Sequence, residues 1–195
     1  YNYVLYSTSA GGGLIRNLVN TVVITIPGVI IPVVFAAMAA YALSWIDFKG
    51  RNTLYIAIFA LQVVPIQMAL IPLLSFFSKG LAIGDFTLVP AWQLEGVNTI
   101  VQVWIAHSIF GLPLAIFLLH NFMRELPGDV MEAARIDGAS HSQIFRKVVL
   151  PLVTPAFLAA ALFISIGVLG DFGNPMLVGG RFQVLATAVY TQLTG

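Results

Sequence analysis

Three places in this sequence bring together side chains with chemical capacity. The first is Arg124–Lys147, RELPGDVMEAARIDGASHSQIFRK, a dense run of charge in an otherwise apolar chain. The second is a set of polar residues inside long apolar runs: Gln62, Gln67, Gln102 and His107. The third is Asp171, within a Gly-rich turn. Amides can exchange hydrogen bonds with hydroxyl groups, and an imidazole can bond a backbone, line a cavity or bind a metal. His107 has no second His or carboxylate at ligand spacing in its own run, so a metal site is not expected there. No nucleophile–base pairing or two-carboxylate pocket is readable. There is no Gly-x-x-x-x-Gly-Lys-Ser/Thr phosphate loop either. The reading is therefore of no catalytic residue and no cofactor, with any ATP hydrolysis carried by another polypeptide.

The bulk of the chain explains where such residues must sit. Hydrophobic residues are 59% of the 195 and charged residues 9%, with a mean hydropathy of +0.94. A soluble domain carries about 25% charged residues, so this chain cannot cover itself with a water-facing surface. Cysteine is absent, which excludes disulfide scaffolds and thiolate metal sites. A formal charge of +1 argues against nucleic acid as a partner, because phosphate neutralisation needs clustered Lys and Arg.

A membrane-crossing helix needs roughly 20 mostly apolar residues. Four runs free of acidic and basic residues meet that length: Leu18–Ile46, Leu54–Ser78, Val97–Met123 and Val148–Gly170. The fold class expected is all-α, a polytopic transmembrane helical bundle with a cytoplasmic helix-turn-helix loop, in a single domain over residues 1–195. Pro27, Pro32, Pro65, Pro72, Pro113 and Pro155 lie inside the runs, where neighbouring helices and water can satisfy the freed carbonyls. With the N-terminus outside, the cytoplasmic loops hold Lys49, Arg51, Arg124, Arg135, Arg146 and Lys147. The other side holds Arg16, Lys79 and Arg181. The positive-inside rule favours that orientation. It puts Tyr1–Gly13 and Ser78–Gly96 outside, with His120 and Asn121 hydrated near the cytoplasmic end of the third run. Ala36, Ala40 and Ser44, and again Gly111 and Ala115, recur at the four-residue spacing of a close helix–helix seam. The chain starts at Tyr1 and stops at Gly195 beyond a mixed segment, so a fragment is expected, with helices before and after it.

The charged segment has the grammar of two short helices. Pro127 suits a first helical turn, with Asp129 and Glu132 near its positive end. Gly138 suits a C-terminal stop requiring positive φ. Ser140-His141-Ser142-Gln143 is a capping box that starts a second helix, and Pro151 limits its length.

Glu132-Ala133-Ala134, three residues, Gly138, nine residues, Val148, one residue and Leu150-Pro151 resembles the "EAA" loop of binding-protein-dependent ABC importer permeases, with Val148 where Ile is usual. The resemblance implies a multi-pass inner-membrane permease, with a loop over 124–151 that couples it to cytoplasmic ABC ATPase subunits. Glu132 would meet a basic group, Ala133 and Ala134 would allow close fit, Gly138 would make the bend, and Leu150 and Pro151 would close the pattern. A second permease subunit, an extracytoplasmic solute-binding protein and the lipid bilayer are the other implied partners. Gln62, Gln67, Gln102 and His107 are the candidate solute pathway.

Ala36–Gly50, Leu61–Leu73 and Trp104–Asn121 are similar to sugar permeases of the maltose and α-glucoside kind, over about residues 15–160. From Gly170 onward, GDFGNP, Val178-Gly179-Gly180 and Val184–Gly195 are instead similar to ferric-iron, phosphonate or other small-anion permeases. A sugar is the expected solute, with iron or a small anion as the alternative. An ion-coupled secondary transporter would want internal repeats and a mid-membrane acid, and the four runs hold neither Asp nor Glu. A non-transporting membrane scaffold is the remaining alternative.

Overall fold

The first apolar run forms one unbroken helix, α1 (Leu14–Trp45), through Pro27 and Pro32. Its best window has a mean hydropathy of 2.5, and its two faces differ. Leu18, Val22, Ile26, Ile30, Val34 and Met38 form an exposed stripe, while Ile24, Val33, Ala36, Ala37 and Ala40 are buried. Spacings of three and four residues put each set on one helical face. An exposed aliphatic stripe of this length is unfavourable in water but costs nothing against lipid tails.

The computed structural model of this protein describes residues 13–92, 99–180 and 182–194. The expected placements of residues 1–12, 93–98 and Arg181 lie outside these. After α1 come α2 (Arg51–Ala60), a 3-10 turn at Leu61–Val63, and α3 (Ile66–Lys79). A two-stranded hairpin follows, β1 (Leu81–Ile83) and β2 (Phe86–Val89), then α4 (Thr99–Arg124), α5 (Gly128–Ile136) and α6 (His141–Ile144). A π turn at Phe145–Val149, α7 (Leu150–Leu152), α8 (Thr154–Gly170), α9 (Gly173–Val178) and α10 (Leu185–Thr194) complete the described chain. The chain divides into two compact units. One comprises Tyr1–Ile31, Val64–Phe110 and Ser165–Gly195; the other comprises Pro32–Val63 and Gly111–Ile164.

Among the described residues, α1 and α4 are each long and apolar enough to cross a bilayer as single helices. The other two expected runs are bent. Arg51–Val63 and Ile66–Lys79 meet at 104°, and His141–Leu152 and Thr154–Gly170 at 73°. The first break falls at Pro65, which adopts extended backbone immediately before α3. Proline has no N–H to give the preceding turn and its ring clashes with that turn's carbonyl. The second break falls at Val153, just before the Thr154-Pro155 start of α8. Pro113 lies within α4 and Pro72 within α3 without breaking either, so proline alone does not decide where a run bends.

The hairpin was not expected in an all-α reading. Its strands pair antiparallel, Ile83 opposite Phe86, around a Gly84-Asp85 turn. Gly80 has φ +74°, and a Cβ there would lie 2.2 Å from the Val89 carbonyl oxygen. Only glycine fits that entry. Gly80→Ala is expected to disrupt the hairpin, seen as faster backbone amide exchange over residues 81–89.

The seam of small residues is realised within the second unit. Ala36, Ala40 and Ala115 are fully buried. A Cβ on Gly111 would stand 3.4 Å from Ile164 Cγ2 and 3.6 Å from Pro32 Cγ. Phe59 and Phe117 pack with ring centroids 5.1 Å apart in the same unit.

Candidate functional site

The charged segment folds as its residue types dictate. Pro127 precedes α5 as its N-cap, and Asp129 occupies the first turn. At the far end Gly138 has φ +77°. The Ala139 amide bonds the Ala134 carbonyl and the Gly138 amide bonds the Arg135 carbonyl, both at 3.0 Å. This pair of bonds is a Schellman closure, which needs a left-handed residue at the glycine position. Ser140 then caps α6. The Gln143 amide donates to Ser140 Oγ at 3.4 Å, and the Ser140 amide donates to Gln143 Oε1 at 2.8 Å. Ser140→Ala is expected to destabilise this turn by about 1 kcal/mol, measured as faster exchange of the 141–144 amides.

Anchors from α1 hold the segment in place. Arg135 Nη2 donates to the Trp45 carbonyl at 3.1 Å, closing the C-terminus of α1. The Tyr41 hydroxyl and His141 Nδ1 are hydrogen-bonded at 3.1 Å, and Tyr41 meets Phe145 edge-on with centroids 5.2 Å apart. Met131, Ile144 and Val149 are buried beneath the segment. The outer face is the reverse: Glu132, Ala133 and Gly138 are exposed, Ala134 is half-buried, and Ile136 is 80% exposed. Leu150 and Pro151 are also exposed, on α7. The result is a supported ridge on which Ala133 and Ile136 stand exposed among the charged Glu132, Arg135 and Asp137.

Tyr41, Trp45 and Met131 were not singled out in the sequence. Tyr41 lies a hundred positions from its partner His141, and no local pattern pairs such residues. The aromatic pair near the end of an apolar run is the available signal, since Trp and Tyr favour membrane interfaces.

The four polar candidates differ in their surroundings. Gln62 and Gln67 are exposed, and Gln62 belongs to the second unit while the other three belong to the first. Gln102 is buried, and its Nε2 donates to the Trp92 carbonyl at 2.5 Å. His107 is buried as well, with Nδ1 3.6 Å from Asp171 Oδ2. Asp171 has a structural task. Its Oδ1 accepts from the Gly173 amide at 2.8 Å and its Oδ2 from Asn174 Nδ2 at 2.6 Å, fixing the start of α9. The far end of α9 is held by Thr99 Oγ1, which donates to the Gly179 carbonyl at 3.0 Å. Thr21 Oγ1 accepts from the Leu185 amide at 2.9 Å, at the start of α10. Among the described residues no group of three or more His, Cys, Asp or Glu could hold a metal.

Comparison with known proteins bears on the family and the fold. Residues 32–192 match the model of a family described as "Binding-protein-dependent transport system inner membrane component". The alpha-glucoside transport system permease protein AglG of Rhizobium meliloti is 44% identical over 162 residues, covering 83% of this chain and 40% of that protein. The osmoprotective compounds uptake permease protein GgtD of Synechocystis is 39% identical over 190 residues, covering 97% of this chain and 58% of that protein. The trehalose transport system permease protein SugB of Mycobacterium tuberculosis is 36% identical, covering 91% and 60%. The chain therefore spans about half the length of the curated relatives it matches. In fold it is similar to a chain of the bacterial alginate ABC transporter crystallised with an alginate pentasaccharide-bound periplasmic protein. That match has a TM-score of 0.73 at 17% identity, over 97% of this chain and 69% of the other.

Proposed function

This chain belongs to the binding-protein-dependent transport system inner membrane component family, and we propose that it works as the membrane permease of an ATP-driven importer of sugars or sugar-like polyols. The single observation that carries the reading is the supported ridge at Glu132–Gly138, exposed and anchored from beneath. Separate ATPase subunits dock on that ridge from the cytoplasm. Glu132 pairs with a basic group there, Ala133 and Ala134 admit close contact, and the Gly138 turn sets the angle between α5 and α6. Leu150 and Pro151 end the ridge and lead into α8. When the ATPases close around ATP they draw the docked segments with them. Because Arg135, Tyr41 and Phe145 tie this segment to α1, the pull reaches a spanning helix directly. A second permease subunit completes the path, and an extracytoplasmic binding protein delivers the solute.

The sugar assignment draws on relatives named for alpha-glucoside and trehalose transport. The stretch from Gly170 onward favours a ferric or small-anion solute by its own sequence. Against that, an alignment of 190 of the 195 residues to GgtD must include positions 171–180. Of the pathway candidates, Gln67 keeps its exposed amide for solute hydroxyls, whereas Gln102 is bonded to backbone and His107 faces Asp171. Ion-coupled transport and a passive scaffold fit neither the family nor the ridge. In the reconstituted complex, sugar-loaded binding protein is expected to stimulate ATP hydrolysis severalfold. Stimulation by a ferric- or phosphonate-loaded binding protein and by no sugar-loaded one would overturn the solute assignment.

Topology has its own test. The native chain lacks cysteine, so Asp85→Cys and Ser142→Cys report cleanly in intact cells. An impermeant maleimide is expected to label position 85 and spare position 142. The reverse pattern contradicts the orientation.

A further inference from the structure

A cavity of about 630 Å³ opens in the second unit, lined by Leu43, Arg51, Asn52, Tyr55, Ile56, His120, Asn121, Arg124 and Glu125. Neither the ridge nor the polar pathway uses it. Its walls come from the end of α1, the first turns of α2 and the last turn of α4. We propose that this cavity binds the phosphate group of an anionic ligand, a phospholipid headgroup or a soluble phosphate.

Two guanidinium groups face the cavity with donors to spare. Arg51 Nη1 donates to Asp47 Oδ1 at 2.9 Å and to the Ile46 carbonyl at 3.4 Å. Its Nη2 and Nε, and all of Arg124, have no hydrogen-bond partner among the described residues. Arg presents a planar fork of donors that matches phosphate oxygens. His120 is buried, only 7% exposed, and its Nδ1 makes no hydrogen bond. Tyr55 stacks on His120 with centroids 4.1 Å apart. Its hydroxyl donates to Asn121 Oδ1 at 3.2 Å, which orients the Asn121 amide hydrogens away from that bond. The α2 N-terminus adds its dipole, since Gly50 leaves it without a side-chain cap. Glu125 is the carboxylate in the wall and opposes an anion. The exposed Ile56 beside this polar floor suits an acyl chain, and basic pockets at the cytoplasmic ends of spanning helices are where anionic headgroups lie.

The inference rests on the importer reading only for the side of the membrane on which the cavity opens. Binding is measured without transport, so a complex that binds phosphate here and moves no solute would defeat that reading alone. The test is native mass spectrometry of the delipidated complex titrated with phosphatidylglycerol or phosphatidylcholine, and separately with glycerol 3-phosphate. Wild type is expected to retain phosphatidylglycerol at least tenfold better than phosphatidylcholine. The Arg51→Gln, Arg124→Gln double variant should lose about tenfold of that retention, and Glu125→Gln should gain severalfold. If only glycerol 3-phosphate binding depends on the two arginines, the phosphate site stands and its ligand is soluble. The proposal is overturned if neither probe distinguishes wild type from the double variant, or if Glu125→Gln loses binding as the double variant does.

Discussion

Glu132→Lys is expected to release the ATPase from the membrane subunit, lowering their affinity by about three to four orders of magnitude. Breaking a buried charge pair by removing one partner costs about 3–5 kcal/mol, and each 1.4 kcal/mol is about tenfold in affinity. Charge reversal lies at the upper end, because the ATPase would then face a buried like charge. Glu132 is exposed and makes no hydrogen bond or ion pair among the described residues, so the substitution leaves the fold of its own chain intact. Circular dichroism in detergent should be unchanged while co-purification of the ATPase is lost. Glu132→Gln, which keeps the shape and one acceptor, should lose much less. Full co-purification and normal uptake by the lysine variant would remove Glu132 from the interface.

Asp171→Ala is the second large effect, this time on stability. The carboxylate receives the Gly173 amide and the Asn174 side chain, and stands beside His107. Asn174 is completely buried, so removing Asp171 strands a buried donor. Hydrogen bonds to charged groups contribute about 1.5–3 kcal/mol, and a stranded buried donor costs about 1–3 kcal/mol. A loss of about 3 kcal/mol in denaturant unfolding of the detergent-solubilised chain is expected. Asp171→Asn keeps acceptor oxygen at the same reach and should lose about half as much. If alanine and asparagine are both neutral, the start of α9 is held by something else.

Asp171 illustrates how far the sequence could be read. Its Gly-rich surroundings announced a turn, and the structure has one. That the acid fixes a short helix beside a buried histidine depends on α4 and α9 meeting, and their residues are 64 positions apart in the case of His107 and Asp171. The charged segment was more legible because its signals are local. Pro127, Gly138 and the Ser140–Gln143 box act within one or two helical turns, and each did what its backbone chemistry requires. The apolar runs were legible as runs but not as straight helices. Hydropathy does not distinguish a proline absorbed by a helix, as Pro113 is, from one that turns the chain, as Pro65 does. The hairpin at Leu81–Val89 was hidden for a related reason. Short apolar segments read alike as strand or helix, and the glycine that admits the chain at Gly80 works through contact with Val89.

The amide candidates depend on contacts that the sequence does not show. Polarity at depth suggested one pathway; Gln102 donates to the Trp92 carbonyl, and His107 has Nδ1 3.6 Å from Asp171 while its buried Nε2 has no hydrogen-bond partner among the described residues. A lone polar residue in an apolar run has two fates, bonding the protein or meeting the solute. Sequence position does not choose between them.

The central claim is that Glu132–Gly138 is covered by an ATPase. Site-specific crosslinking tests it directly. Ala133→Cys, in an otherwise cysteine-free chain, is placed in the reconstituted complex with a short thiol-to-amine crosslinker. The account predicts a crosslinked product with the ATPase subunit from position 133 and none from Asp85→Cys, which the expected topology puts outside. Absence of a crosslink from position 133, in a complex that hydrolyses ATP and imports solute normally, would contradict it.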